Sequence, residues 1–323
     1  MQNKFPETLF EAIQYYSNPD VCRGLLVSLR WSDGVVCPRC ACDRVTFMAS
    51  VQRWNCKGCR KQFSVKVGTI FEDSPIGLDK WFAALWIITN AKNGASSHEI
   101  SRAIGVTQKT AWFMLHRIRL AMKSGSLEKI SGEVEVDETF VGGLEKNKHK
   151  DKKQNAGRGS VGKTIVLGVL KRGNTQKDEN GKLRKKAERI YSQIRVNVIP
   201  NTQHETLFSE ICANVQEGTF VYTDAHRGYN GLETAFAHSF VDHAVKYAEG
   251  RIYTNGVENF WSLLDRAIHG TYIKPEPQHL LRYVDEQAFR FNHRAGTDLT
   301  RFLQVMMQVP GKRITYKELT QGT

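Results

Sequence analysis

A chain of 323 residues with a 41% hydrophobic composition is long enough for two or three domains and too apolar to be intrinsically disordered. Its 46 Lys and Arg against 33 Asp and Glu give a formal charge of +13, which points to a polyanionic partner, either nucleic acid or a membrane surface. Residues 1–20 lack a charged start followed by an apolar run, and the most apolar stretch, 81–89, is too short to cross a bilayer, so neither secretion nor membrane insertion is expected and the chain reads as cytoplasmic.

Residues 1–30 read as helical, with Leu9, Ile13 and Tyr16 at helical spacing. Seven cysteines follow an uneven pattern: Cys22, Cys37, Cys40, Cys42, Cys56, Cys59 and Cys212. Four of them form the pairs Cys37-Pro38-Arg39-Cys40 and Cys56-Lys57-Gly58-Cys59. Thiolates at both ends of a short hairpin can surround one tetrahedral, structural Zn²⁺ at this spacing. Without a secretion signal, metal is the better reading than disulfides. Cys42 is a spare beside the first pair, and Cys22 and Cys212 read as small buried residues.

From residue 78 the pattern turns helical. Residues 78–92 form one apolar helix that Gly94 stops; Ser96 with Glu99 is a capping box for a short helix, 98–104, which ends at Gly105. A third helix covers 108–122. Helix, tight turn with glycine, helix is the helix-turn-helix pattern. The third helix would present Gln108, Lys109, Thr110 and His116 outwards, with Arg117 and Arg119 available for phosphates, and Trp112, Leu115 and Ile118 as core. A plain helical bundle is the rival reading.

From residue 131 the character changes again. Residues 133–143 alternate acidic and apolar side chains, the mark of a strand with one acidic face. Strands are expected at 164–170, 189–199, 220–224 and 240–245, and helices at 206–215, 257–268 and 278–291. Strands, helix, strand, then helices suggests a mixed α/β sheet of the ribonuclease-H-like kind. Residues 145–190 hold 15 Lys and Arg against 5 Asp and Glu, with basic loops at 146–158 and 177–189. The chain is therefore read as multi-domain: a helical segment at 1–30, a zinc ribbon at 31–72, a helix-turn-helix at 73–128, an α/β ribonuclease-H-like catalytic domain at 129–300 and a tail at 301–323.

Phosphoryl transfer on DNA needs carboxylates from different elements to hold Mg²⁺ near the scissile phosphate. Asp137 lies in the acidic strand, Asp224 ends the apolar strand 220–224, and Glu258 starts the helix after Tyr253-Thr254-Asn255-Gly256. Two strand aspartates and a helix glutamate can converge on one metal centre. Each has a rival role: Asp137 as part of a solvated acidic strand with Glu133 and Glu135, Asp224 as a turn residue, and Glu258 as the last member of a capping box begun by Asn255.

Further motifs occur in order: Leu29-Arg30-Trp31, Gln62-Phe63-Ser64, Gly68-Thr69-Ile70-Phe71, Lys109 to Trp112 with Leu115 to Arg119, Val136 to Thr139 with Gly142-Gly143, Thr223-Asp224 with Gly228-Tyr229, Thr254-Asn255 with Glu258 to Trp261, Gly270-Thr271-Tyr272, His279-Leu280, Arg282-Tyr283 and Ala288-Phe289-Arg290 with Asn292. With the cysteine pairs, this ordered set resembles the ISXO-like bacterial insertion-sequence transposases, which carry a zinc ribbon ahead of a DDE catalytic domain. The resemblance implies that Asp137, Asp224 and Glu258 are catalytic and bind Mg²⁺ or Mn²⁺, with Asn255 as a secondary candidate. It implies binding of double-stranded DNA at terminal inverted repeats and at a target, and a homo-oligomer in the bacterial cytoplasm at the nucleoid. The chain departs from the family at Asp265, where a lysine is common, with Arg266 next as the candidate DNA contact, and at Tyr253, where histidine is frequent. The rival functions are a DNA-binding regulator without catalysis and a metal-dependent nuclease that does not rejoin DNA.

Overall fold

The computed structural model describes residues 4–123, 128–142, 162–174, 182, 184, 185, 188–241 and 252–321. The basic loop 146–158, most of 177–189, Gly143 and the 242–245 part of the last expected strand lie outside the described residues. The chain divides into two units, one of Met1–Lys123 with Gly296–Thr323 and one of Ser124–Ala295. Among the described residues no helix is long and apolar enough to cross a membrane.

The first unit begins with two helices where the sequence pattern suggests one. Thr8 and Glu11 form a capping box that starts α1, Leu9–Tyr15. Asn18 then caps α2, Pro19–Arg30, whose first residue is a proline that cannot continue α1. Ala12 and Tyr16 turn inwards, whereas Leu9 and Ile13 stay exposed. A three-stranded antiparallel sheet follows, with β1 Val45–Met48, β2 Arg53–Cys56 and β3 Gln62–Phe63 in sequence order. Its small core is aromatic: Trp54 stacks on Phe63 and meets Phe47 and Trp31.

Next come α3 Leu78–Asn90, α4 Ser97–Ile104 and α5 Gln108–Met122. Ser96 and Glu99 cap α4 reciprocally, and Gly105, in the left-handed region at φ 63°, ends it. The chain's end returns to this unit. Helix α9, Asp298–Met307, inserts Phe302 against Phe82 and Trp86 of α3 and ties Arg301 to Asn90. Residues 301–321, expected as part of a tail, therefore carry buried side chains, Val305, Met306 and Val309 among them, and a final short helix, α10, Tyr316–Gln321.

The second unit is a five-stranded mixed sheet. Strands β4 Glu133–Val141, β5 Thr164–Lys171 and β6 Gln193–Ile199 form an antiparallel meander. After α6, His204–Asn214, the chain crosses back so that β7, Phe220–Asp224, lies parallel to β4, and β8, Ala237–Val241, lies parallel to β7. The sheet order is β6-β5-β4-β7-β8. Strand β5 reads as an unbroken apolar run because both its faces are covered. Leu167 and Val169 face α6 with Val134 and Val136, and Val166 and Leu170 face the other side. That other side is covered by α7, Asn255–Ala267, and α8, Pro277–Asn292, through Val257, Phe260, Leu264, Val284 and Phe291. Asn292 locks α8 to β6 by bonding both the N–H and the carbonyl of Ile194. Buried Glu286 accepts from Tyr272 and Arg290, so the late motif residues Tyr272, Arg290 and Asn292 hold the helical layer in place.

Gly168 admits α7 to the sheet. It sits opposite Asp137 in the ladder, and a Cβ there would stand 2.7 Å from the Trp261 ring and 3.0 Å from Val257. Gly168→Ala is expected to push α7 outwards and cost about 2 kcal/mol by overpacking, read in a urea melt. An unchanged midpoint would show that the ring has room to move.

Candidate active site and metal centre

The metal centre is built from two matching turns. The Cys37 N–H donates to the Cys42 carbonyl at 2.9 Å, and the Cys56 N–H to the Lys61 carbonyl at 3.1 Å. Each turn forces the residue four after its first cysteine into the left-handed region, Ala41 at φ 57° and Arg60 at φ 58°. The turns bring the sulfurs of Cys37, Cys40, Cys56 and Cys59 within 4.8 Å of one another. The Cys37–Cys59 and Cys40–Cys56 sulfur separations are 3.7 and 3.6 Å. A tetrahedron with Zn–S bonds of about 2.3 Å has edges of about 3.8 Å, so the set fits zinc. Within the four thiols the Cys59 N–H pushes Cys56 down to about 6, while Cys40 goes the other way, up to about 12, so the fit to zinc rests on the sulfur geometry. Cys42 is outside the four-sulfur set. Arg60→Gly should relieve the left-handed strain and stabilise the ribbon by about 1 kcal/mol in thermal melts; a lower midpoint would contradict this.

The carboxylates of the second unit occupy the α7 side of the sheet. Parallel pairing joins Glu133 to Phe220, Val134 to Val221 and Glu135 to Tyr222. The pairing ends there; Asp137 and Asp224 each lie two residues beyond the last pair, close enough for the charge of Asp224 to act on Asp137. Asp137 faces α7, where the Trp261 indole N–H donates to its Oδ2 at 2.8 Å. Burial, then the charge of Glu138, pushes Asp137 up to about 7, with Asp224 adding to the rise. Among the described residues neither Asp137 nor Asp224 has a basic side chain paired to it. Asp224 Oδ1 accepts the His226 N–H at 3.0 Å, so the turn role is met by the same residue.

Glu258 lies in the first turn of α7, three residues and one turn before Trp261, and Oε1 accepts from Thr254 Oγ1 at 2.8 Å. It is not the last member of a box begun by Asn255. The helix N-terminus is capped instead by Glu135, whose Oε2 accepts from the Gly256 and Val257 N–H groups at 2.7 and 3.0 Å. Asn255 is exposed at the first helical position. The oxygens of Asp137, Asp224 and Glu258 are not all within 4.8 Å of one another; among the described residues only the four cysteines meet that measure. Neighbouring Glu138 points to the opposite face, where it accepts from the Tyr229 hydroxyl; burial raises its pKa.

The acidic strand is therefore not a solvated face. Glu135 is 1% exposed and pairs with Arg172 at 2.7 Å. Sequence reasoning missed this role because the partners, Arg172 and Gly256, lie 37 and 121 residues away. Tyr253 stacks its ring on the Arg172 guanidinium at 3.8 Å.

The expected DNA-facing residues divide. Gln108 and Lys109 are exposed at the start of α5 and Thr110 is half-buried. His116, Arg117 and Arg119, expected to face outwards or reach phosphates, are buried, and this corrects the expectation. Arg117 donates to the carbonyls of Glu72 and Ile314, and His116 packs on Trp112. Trp112, expected in the core, is half-buried, whereas Leu115 and Ile118 are core. Arg266 is exposed, and Asp265 beside it pairs with His269 at 2.8 Å.

Comparison with known proteins adds an independent line. Residues 129–292 match the ISXO2-like transposase domain, and residues 17–62 match a transposase zinc-ribbon domain. A Halobacterium salinarum relative, described as an uncharacterized protein in transposable element ISH50, is 29% identical over 258 residues, 75% of this chain and 80% of the relative. A Haemophilus influenzae relative, described as an uncharacterized transposase-like protein, is 35% identical over 97 residues, 30% of this chain and 78% of the relative.

Proposed function

Because the chain belongs to the ISXO2-like transposase family, we propose that it is the DNA transposase of an insertion sequence, binding the element's terminal inverted repeats and catalysing metal-dependent strand cleavage and strand transfer. The observation that supports this reading is that Asp137 and Asp224 lie just beyond the paired ends of β4 and β7, with α7, the helix of Glu258, bonded to Asp137 through Trp261. The sheet order, with a three-stranded meander and two further parallel strands, supports a ribonuclease-H-like core.

The donor chemistry of Asp137, Asp224 and Glu258, all carboxylate oxygens, suits a hard divalent cation. Asp137 and Asp224 offer oxygen donors, and the crowding of Asp137, Glu138 and Asp224 raises Asp137 after burial has done so. Asp137, Asp224 and Glu258 would hold Mg²⁺ or Mn²⁺, with Asn255 a secondary candidate. A cation there supplies Lewis-acid stabilisation of the phosphoryl oxygens. Trp261 fixes one oxygen of Asp137 and so orients the carboxylate. Water attacks the phosphodiester at the element end and frees a 3′-hydroxyl. That hydroxyl attacks a target phosphodiester, forming one P–O bond as another breaks.

The proposed domain assignments are a ribbon at 31–72, a helix-turn-helix at 73–128 and a catalytic domain that begins at 129 and ends near 295 in place of 300, since residues 296–323 belong to the first unit. Helices α4 and α5, joined through Gly105, support the helix-turn-helix reading, with Gln108, Lys109 and Thr110 toward DNA. Arg266 would contact the backbone near the cut. Joining two ends requires a homo-oligomer, working in the bacterial cytoplasm. The net charge of +13 makes binding fall steeply with salt.

The test uses zinc-loaded protein, Mg²⁺, labelled duplex carrying the gene's own flanking DNA, and a target plasmid. Wild type should nick at the element ends and join them to plasmid, and Asp224→Ala should only bind. If neither cuts, the protein is a DNA-binding regulator. If wild type cuts and never joins, it is a nuclease.

A further inference from the structure

Helix α7 carries Glu258, and its N-terminus is capped from another element. Thr254, the residue before the helix, directs its hydroxyl to Glu258 and not to the helix N–H groups. Glu135 of β4 takes those N–H groups with Oε2, while its Oε1 accepts from Arg172 Nε. Arg172 in turn lies over the rings of Tyr222 and Tyr253, at 4.2 and 3.8 Å, and donates to the Tyr253 carbonyl at 2.6 Å. Glu135 stands two residues before Asp137 on the same strand face, roughly 7 Å along it. One turn after Glu258, Trp261 bonds Asp137. The helix is thus pinned to the acidic strand at two points that bracket Glu258. A neutral local cap would satisfy the same N–H groups without burying an ion pair, which is seldom needed for stability alone.

We infer that Glu135, held by Arg172, is a positioning residue that sets Glu258 against Asp137 and Asp224. The inference rests on the metal site proposed above. Gly256 is part of the device: a Cβ there would stand 2.7 Å from Glu135 Oε2, so only glycine lets the helix end approach the carboxylate this closely.

The experiment compares wild type, Gly256→Ala, Glu135→Gln and Asp137→Ala, all zinc-loaded, by Mn²⁺ titration in electron paramagnetic resonance. Amide exchange at residue 256 and Val257 is followed in Mn²⁺-free and Mg²⁺-free protein. A purely structural cap would also open when the alanine Cβ displaces Glu135, so it predicts faster exchange in Gly256→Ala with Mn²⁺ binding unchanged. The positioning role predicts at least about tenfold faster exchange and about tenfold weaker Mn²⁺ binding in both Gly256→Ala and Glu135→Gln. If Gly256→Ala binds Mn²⁺ like wild type while Asp137→Ala has lost the site, the positioning role is wrong and the metal site stands. If Asp137→Ala also binds like wild type, the metal site itself fails and takes this inference with it. Should Glu135→Gln fail to fold, Gly256→Ala decides alone, since it keeps the Glu135–Arg172 pair.

Discussion

Asp137→Asn should abolish strand cleavage and, in magnesium-free buffer with zinc retained, make the protein harder to unfold. The two effects share one cause. Burial and neighbouring carboxylates raise Asp137 from 3.8 to about 7 in the folded state. The folded form then holds this proton more tightly than the unfolded chain does. Stability falls as pH climbs from roughly 4 to 7, and the whole penalty is present above 7. Three pKa units set an upper bound of about 4 kcal/mol. Asparagine cannot ionise, has nearly the same shape, and still offers an oxygen to the Trp261 indole. Thermal melts should therefore coincide near pH 4 and separate by pH 8, with the variant higher. Added Mg²⁺ should narrow the gap by stabilising wild type alone. Cleavage should drop by about three orders of magnitude, since one ligand of a site worth several kcal/mol is gone. A variant less stable than wild type at pH 8 would mean that Asp137 has a structural role.

What could be read from the sequence was local. Cysteine spacing, the capping box at Ser96 and the apolar strand ending in Asp224 each depend on a few adjacent residues, and each has its expected local form in the structure. The separation of Asp137 and Asp224 in sequence is the same as that of the paired residues Glu135 and Tyr222, but only the ladder reveals this. Glu133, Glu135 and Asp137 look alike in an alternating strand. What distinguishes Glu135 is a cation from the end of β5 and a helix terminus from beyond β8, neither visible in a local window. The basic end of α5 misled for the same reason. Arg117 reads as a phosphate contact until carbonyls from residues 72 and 314 enclose it. Helix α9 was hidden by sequence distance: its apolar face meets α3, more than 200 residues earlier, so the segment read as a tail.

Zinc removal should cost the ribbon on the order of 10 kcal/mol, more than its own packing can supply. Its strands are four, four and two residues long. Strands that short do not hold together without a cross-link. The aromatic cluster of Trp54, Phe63, Phe47 and Trp31 is small, and three non-glycine residues in its turns, Ala41, Gln52 and Arg60, sit in left-handed backbone. Chelation should therefore expose the amides of β1, β2 and β3 to exchange, while the five-stranded sheet, with apolar cores on both faces, stays protected. Cys56→Ser should lose the metal and reproduce this exposure. Cys42→Ser should keep one zinc per chain, because its sulfur lies outside the four-sulfur set. Loss of zinc from Cys42→Ser would assign the ligands differently. Exchange spreading equally into β4 and β5 after chelation would show that the ribbon's metal also supports the second unit's fold, and the two units could not then be treated as independently stable.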